Sequence, residues 1–363
     1  MSRRGERLVV EPNGQTHLET VTIPDPAPDQ VLVRIVLTQV SAGSEMNGIR
    51  RRRTATAEVQ RTFSPQGMGY TAIGYVEAVG DQITNFVPGD RVLCSGNHGT
   101  YWLVTPAKIM QPASIGQDYA IQKVPDNLSD TEAAFAVLGD IALHGVRLAQ
   151  LQLGESVAVH GLGVIGLLVT QLCRLSGAHP VIGVDMLDER LALARSLGAT
   201  ATIDAAQEDV PARIRSLTQL PWRYRNFLPG LEPGAGAEAQ LHCSSNINIY
   251  PTMIKAAADR GRIILVGATA GSVPIESQEL FRREITLRGS YQTGMAEAHP
   301  YWPWSRPRNQ QVIMELIARG ELHVKPLISH VVPYREAPAL YDLMMNGGAG
   351  WMSVFFDWSS ANA

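Results

Sequence analysis

The spacing of apolar positions changes near residue 139. Before it, apolar residues come in short runs and alternations. VLVRIVLTQV (31–40) is a dense β-branched run, GYVEAVG (74–80) alternates and ends at glycine, and TYWLV (100–104) is a further short stretch. Such segments predict strands, because β-branched and aromatic side chains suit a pleated, half-buried surface. Turn-forming PDPAPDQ, VGDQ and VPGD separate them. The first third reads as an irregular, mostly antiparallel β domain.

After residue 139 the rhythm becomes strand–helix alternation. SVAVHG predicts a strand and VIGLLVTQLCRLSG a helix; PVIGVD and LDERLALARSLGA repeat the pair. ATIDA, AEAQLHCS and GRIILVG follow as strands. Alternation of this kind predicts βαβ units and a parallel sheet. Beyond about residue 303 the pattern mixes again: helix NQQVIMELIARG, strand LISHVVPY, helix EAPALYDLMMNGG and strand SVFFDW. The expected division is a β domain over 1–138 and 303–363 around an α/β nucleotide-binding domain over 139–302. SLTQLPWRYRNFLPGLEPGAG (216–236), rich in Pro and Gly, reads as an irregular insertion. No internal repeat or low-complexity tract occurs.

One motif carries specific chemistry. Strand SVAVH runs into Gly161-Leu-Gly163-Val164-Ile165-Gly166 and then into a helix, which is GxGxxG in the right context. Gly161 permits the tight turn, Gly163 lets the backbone approach a pyrophosphate, and Gly166 lets helix and strand pack closely. The helix N-terminus offers N–H groups and partial positive charge to the phosphates. The next strand ends at Asp185, nineteen residues beyond Gly166. A carboxylate there accepts from ribose hydroxyls and repels a 2′-phosphate, so NAD is expected over NADP. Arg190 and Gly267 complete the expected cofactor set.

Composition narrows the setting. The 363 residues are 45% hydrophobic and 18% charged, with a formal net charge of −3. Nothing there points to nucleic acid or a membrane surface; the local exception is the run Arg50–Arg53. The three cysteines, Cys94, Cys173 and Cys243, form no CxxC pair, which excludes a disulfide framework and a sequence-local zinc knuckle. The start MSRRGERLVVEP has no apolar signal region, no stretch approaches a membrane span, and a cytoplasmic protein is expected.

With a Rossmann unit placed after a β domain, the chain resembles the medium-chain dehydrogenase/reductase superfamily over nearly its whole length. VLVRIVLTQVSAGSE is similar to the strand and turn that carry Cys-Gly-Ser-Asp in sorbitol and threonine dehydrogenases. GYTAIGYVEAVG is similar to the Gly-His-Glu-x-x-Gly-x-Val segment, and VPGDRV, IALHGV, GLGVIG, GRIILVG and PLISHVVPY match further landmarks in family order. The resemblance implies a GroES-like β-barrel domain plus a Rossmann domain.

The departures bear on function. Ala42 stands at the first zinc cysteine, Tyr70 at the zinc histidine with Thr71 after it, and Val137 at the third ligand. Zinc needs three N, S or O ligands, and the four-cysteine lobe expected after Cys94 is missing too, so no metal is expected. SAGSE and GMGYTAIG resemble the zinc-free bacteriochlorophyllide dehydrogenase-like type.

Without a metal, a side chain must take the proton as hydride leaves. Tyr70, at the lost histidine, is the first candidate, set against a tyrosine that only fills the vacated space. A phenol ordinarily ionises near pH 10, so it would need a positive neighbour to act as a base. Ser44 sits at the family's proton-relay hydroxyl, Glu45 replaces its Asp, and His98 lies in the family's cleft-lining loop. A turn serine, an internal ion pair and a structural histidine are the competing readings. Asp140 lines the cleft or caps the IALHGV helix, the cap being favoured. Arg50–Arg53 with Arg61 attract an anionic substrate or form a solvated face; His299–Trp304 wall a pocket or pack between domains. GRIILVGATAGSVPIES resembles the last Rossmann strand and the pairing edge, implying a homodimer or homotetramer. The leading expectation is NAD-dependent interconversion of a secondary alcohol (a sugar, cyclitol or related polyol) and its ketone. The alternatives are a quinone or enoyl reductase and a catalytically silent NAD-binding relative.

Overall fold

The computed structural model describes residues 3–105, 121–219, 235–269, 271–291, 303–347 and 350–362. The chain opens with β1 (Arg3–Val10), β2 (Thr16–Ile23) and β3 (Val31–Gln39), then α1 (Ala42–Thr54) and α2 (Ala57–Gln60). Strands β4 (Gln66–Gly67), β5 (Ala72–Val79), β6 (Arg91–Cys94), β7 (Tyr101–Val104) and β8 (Gln122–Lys123) follow. After α3 (Asp130–Leu148) come β9 (Val157–His160), α4 (Val164–Leu175), β10 (Val181–Asp185), α5 (Asp188–Ser196), β11 (Ala201–Asp204) and α6 (Val210–Thr218). Next are β12 (Ala237–His242), α7 (Tyr250–Ala256), β13 (Ala257–Leu265), α8 (Ser277–Arg283) and β14 (Thr286–Gly289). The chain closes through α9 (Arg306–Ala318), β15 (Ile328–Pro333), α10 (Ala337–Met345) and β16 (Ser353–Asp357).

These elements form two compact units. One comprises Met1–Leu138, Thr293–Gly320 and Val324–Ala363; the other comprises Gly139–Gln292 and Glu321–His323. The first holds a three-stranded sheet (β2-β1-β4) and a seven-stranded one (β15-β16-β3-β5-β6-β8, with β7 on β3). β3 is its spine: Val31, Leu32, Val33 and Ile35 are wholly buried. The C-terminal segment completes this core, where Tyr334 stacks on Trp358 with centroids 4.3 Å apart. The second unit is a six-stranded parallel sheet, β11-β10-β9-β12-β13-β14. Its central strand β9, Val-Ala-Val-His, is buried throughout, as expected for a parallel strand covered on both faces.

Three elements depart from the sequence expectations. The stretch read as a turn followed by a charge run is helix α1, whose residues Glu45, Met46, Ile49 and Arg52 are buried. That i, i+3/i+4, i+7 stripe supplies stability that its two glycines and serine do not. α3 starts at Asp130, not near 140, under a reciprocal cap: Ser129 N–H donates to Glu132 Oε2 (3.0 Å) and Glu132 N–H to Ser129 Oγ (3.3 Å). Asp140 is therefore a buried mid-helix residue and not a cap. The parallel sheet ends in β11 on one side and β14 on the other, and GRIIL, read as the last Rossmann strand, forms β13, one strand in from β14. Residues 220–234 of the expected insertion and 299–302 of the aromatic segment lie outside the described residues. Within the latter, Trp304 carries the Arg308 guanidinium 4.1 Å from its centroid. Among the described residues no helix is long and apolar enough to cross a membrane.

Candidate active site

The glycine loop joins β9 to α4, and each glycine has its own steric reason. Gly161 adopts φ +90°, and an added Cβ would stand 2.8 Å from Ser244 Cβ. At Gly166 a Cβ would lie 1.8 Å from the Gly161 carbonyl oxygen, so helix and loop touch backbone to backbone. Gly163, the N-cap of α4, has no atom within 4 Å of an added Cβ and no side-chain cap. The first-turn N–H groups of Val164, Ile165 and Gly166 have no intrahelical acceptor and open toward this space. Gly267, after β13, passes so close to Ser244 that a Cβ would meet its carbonyl oxygen at 2.1 Å.

Asp185, at the end of β10, stitches this region together. Its Oδ2 accepts from Leu162 N–H (2.7 Å), and its Oδ1 accepts from Met186 N–H (2.8 Å) and Leu187 N–H (3.1 Å). Arg190 Nη1 stands 3.8 Å from Oδ2. The carboxylate therefore shapes the loop.

Directly before the loop, His160 is buried against β12. Its Nε2 lies 2.9 Å from Gln240 Oε1, while Gln240 Nε2 donates to the Met253 carbonyl (2.7 Å). Burial pushes the imidazole down to about 4; the Gln240 acceptor opposes the shift and neighbouring His242 adds to it. An unfolded histidine titrates near 6.5, so between about 6.5 and 4 the unfolded chain binds the extra proton. Stability is thus full above about 6.5 and drains as pH falls toward about 4. His160→Gln keeps a donor for Gln240 and removes the titration. Urea unfolding at pH 7 and 4.5 should show an acid loss smaller by about 2 to 3 kcal/mol in the variant; an equal loss in both proteins assigns it to other groups.

In the first unit the expected candidates separate into two sets. Ser41 is the N-cap of α1, yet it makes no side-chain cap. Its hydroxyl instead hydrogen-bonds the Tyr70 hydroxyl. The cap is supplied from below, where Glu45 Oε1 accepts from Ser41 N–H at 2.6 Å. Tyr70 is half-buried, and Ser44 is exposed on the first turn of α1.

Glu45 and His98 form the second set and are walled in. His98 is 0% exposed, with Nε2 3.0 Å from Glu45 Oε2 and Nδ1 2.7 Å from Thr38 Oγ1. Trp358 Nε1 donates to the same Thr38 oxygen (2.9 Å), and Tyr341 O–H donates to Glu45 Oε2. Burial raises the Glu45 carboxyl, but the His98 charge and hydrogen bonds from His98, Tyr341 and Ser41 outweigh it, and the group sits below its ordinary range. Burial and the Glu45 charge hold the Tyr341 phenol well above its own. Of the readings set out for these two residues, the arrangement matches the internal ion pair and the structural histidine: every side-chain polar atom of the pair is hydrogen-bonded inside the domain. They fix the start of α1 and the loop before Tyr70. Gly69, at φ +87°, lies so close that a Cβ would meet the His98 ring at 2.8 Å. Thr38, Tyr341 and Trp358 were not anticipated, since Thr38 and Trp358 lie 320 residues apart and the three share no motif. Ser41 lay within reach, one residue ahead of the segment that carries Ser44.

The positions that hold zinc in the family do not fit a metal here. Val137 is 1% exposed inside α3, Ala42 is the first residue of α1, and the Tyr70 oxygen is engaged by Ser41. Burial pushes the Cys94 thiol up to about 12. Among the described residues no group of three or more His, Cys, Asp or Glu could hold a metal ion.

A GroES-like β domain with a doubly wound parallel sheet and its glycine loop defines the class, a two-domain α/β dehydrogenase fold. Comparison with known proteins agrees. Residues 27–110 match the alcohol dehydrogenase GroES-like domain, and residues 164–305 match the zinc-binding dehydrogenase family. The chain belongs to the medium-chain dehydrogenase/reductase superfamily. An uncharacterized zinc-type alcohol dehydrogenase-like protein of Escherichia coli is 25% identical, over 94% of this chain and 96% of the relative. Sorbitol dehydrogenase of Gallus gallus is 26% identical over 96% of both chains. A solved zinc-binding dehydrogenase from Sinorhizobium meliloti, bound to NADP, superposes with a TM-score of 0.75 at 23% identity, covering 98% of this chain and 99% of its own.

Proposed function

We propose that the chain is a zinc-independent, NAD-dependent oxidoreductase of the zinc-free branch that interconverts a secondary alcohol of the polyol, sugar or cyclitol class and its ketone. The observation that carries the reading is the Ser41–Tyr70 pair. A hydroxyl that would ordinarily cap α1, a contact worth about 1 kcal/mol, is turned instead onto the phenol that replaces the family's zinc histidine. In the oxidising direction the ionised Tyr70 Oη accepts the carbinol proton and becomes the neutral phenol, with Ser41 hydrogen-bonded to that oxygen as its charge changes. In the reducing direction Tyr70 O–H returns the proton to the ketone oxygen. Ser44, exposed one turn along α1, hydrogen-bonds a substrate hydroxyl. When bound, a nicotinamide dinucleotide would supply the hydride acceptor, and Gly163–Gly166 would hold its pyrophosphate, with Asp185 and Arg190 near its ribose. The Asp185 charge disfavours a 2′-phosphate. The reading includes a homodimer through β14, which pairs only with β13 among the described residues, carries exposed Leu287 and lies between exposed Phe281 and Tyr291 in the chain.

Calorimetry with NAD and NADP, on protein assayed for zinc in the same preparation, tests the cofactor and metal claims together. NAD should bind at least about tenfold more tightly, a difference of about 1.4 kcal/mol, with substoichiometric zinc. Stoichiometric zinc that survives dialysis, or a preference for NADP, overturns this reading.

A further inference from the structure

The arginines of α1 are not absorbed by the reading above. Arg53 pairs with Asp342, 2.5 Å away. Arg52 is buried and donates only to neutral acceptors: the Ser64 and Glu11 carbonyls (3.1 and 3.4 Å) and Gln66 Oε1 (3.2 Å). Arg50 donates to Asn47 Oδ1 (2.8 Å). Arg51 is exposed, and its guanidinium stands 5.5 Å from the Phe63 centroid, with Arg52 at 5.0 Å from the same ring. Arg61 is exposed and follows Gln60, whose amide donates to Arg52 O at 3.0 Å. Among the described residues no carboxylate comes within ion-pair range of Arg50, Arg51, Arg52 or Arg61, and the only acid between residues 50 and 63 is Glu58. A helix C-terminus welcomes a cation, but its dipole amounts to about half a charge. Arg52 also feels the Glu11 charge, which leaves the exposed guanidiniums of Arg50, Arg51 and Arg61, and three exceed that half charge.

The patch is aligned with the site. Ser44, Gly48 and Arg51 stand at i, i+4 and i+7, on one face of α1, and all three are exposed. An added Cβ on Gly43 or Gly48 would meet no atom within 4 Å, so the stripe between them is uncovered. At 1.5 Å per residue, Ser44 and Arg51 are about 10 Å apart along the axis, and the arginine side chain shortens the gap that a ligand must span.

We propose that this stripe binds a polyol whose far end is a phosphomonoester, with the phosphate on Arg51, flanked by Arg50 and Arg61, and the reacting carbinol at Ser44 and Tyr70. The inference rests on the dehydrogenase reading for the carbinol end only. A dianion matches several unpaired guanidiniums, whose planar forks bind phosphate oxygens in pairs, better than a carboxylate does. Phe63 holds the Arg51 plane in place.

The full chain, saturated with NAD, is assayed with D-glucitol, D-glucitol 6-phosphate and D-gluconate, and binding of the phosphate ester is followed separately by calorimetry. The ester should exceed both other compounds in kcat/KM by more than about tenfold, the advantage should shrink as salt is raised, and Arg51→Gln should remove most of it. Arg51→Gln, and separately Arg61→Gln, should weaken ester binding by about tenfold and about threefold. Arginine-dependent binding of the ester with no turnover of any compound upholds the anion site and defeats the dehydrogenase reading alone. Turnover of D-glucitol with no gain from the phosphate, an equal gain from D-gluconate, or ester binding indifferent to both substitutions overturns the anion site.

Discussion

Gly166→Ala should lower the unfolding free energy by about 3 kcal/mol and abolish measurable dinucleotide binding, whereas Gly163→Ala should leave stability within about 0.5 kcal/mol and still cost at least tenfold in affinity. The contrast follows from what a methyl group meets at each place. At 166 it falls 1.8 Å from a backbone carbonyl oxygen, that of Gly161, with Cys243 Cβ behind it at 3.5 Å. Neither α4 nor the loop can yield without losing its register on β9, because Gly161 N–H is itself tied to the Val184 carbonyl at 2.8 Å. At 163 the same methyl meets nothing, at an ordinary φ of −71°. Its cost in the free protein is the roughly 0.5–1 kcal/mol by which alanine caps less well than glycine, offset by a similar gain from the less flexible unfolded chain. The space it fills is the space a pyrophosphate needs to reach the first-turn N–H groups. Differential scanning calorimetry and NAD titration of the two variants separate packing from binding. If Gly163→Ala binds NAD as the parent does, the pyrophosphate does not lie on this loop; if Gly166→Ala melts with the parent, the close approach is not what holds α4.

The contrast also shows which parts of the protein are legible from residue order. The glycine loop is local: six consecutive residues carry the turn, the opening and the close approach, so Gly161, Gly163 and Gly166 could each be given a purpose from the string alone. The alternation of β9, α4, β10 and α5 is legible for the same reason, since each element shows its own period. α1 is not. Its glycines, its serine and its run of arginine argue against an ordered amphipathic helix, and what holds it is Met46 and Ile49 in the core and Glu45 on Tyr341 and His98. Those partners come from strands and helices up to 296 residues away, and no periodicity reports them. Asp140 was misplaced for a simpler reason: the cap signal, Ser129 with Glu132, lies a full ten residues earlier, in front of the alanine-rich turns of α3. The polar residues flanking the vanished zinc positions were found as a group, but their division into an accessible pair and a walled-in pair depends on burial, which only the fold decides.

That division sets the expected result for Tyr70→Phe. Losing the phenolic oxygen should lower kcat by 10²- to 10³-fold, in the range of a general acid or base, with KM changed less than about threefold and the melting temperature within about 3 °C. The small stability change is expected because Tyr70 is only half-buried and the ring is kept. Ser41→Ala should have a smaller effect on kcat, of about tenfold, since it removes the partner and leaves the phenol in place. The pH profile of the oxidation rate should differ in shape between the wild type and Tyr70→Phe. A structural tyrosine would give the opposite pattern, with stability lost and the pH profile of the residual activity unchanged. His98→Asn provides the reference: removing a buried imidazole from Glu45, Thr38 and Tyr341 should cost about 3 kcal/mol of stability while the pH profile keeps its shape. If the two variants exchange these signatures, the proton passes through the buried Glu45–His98 pair and Tyr70 is packing.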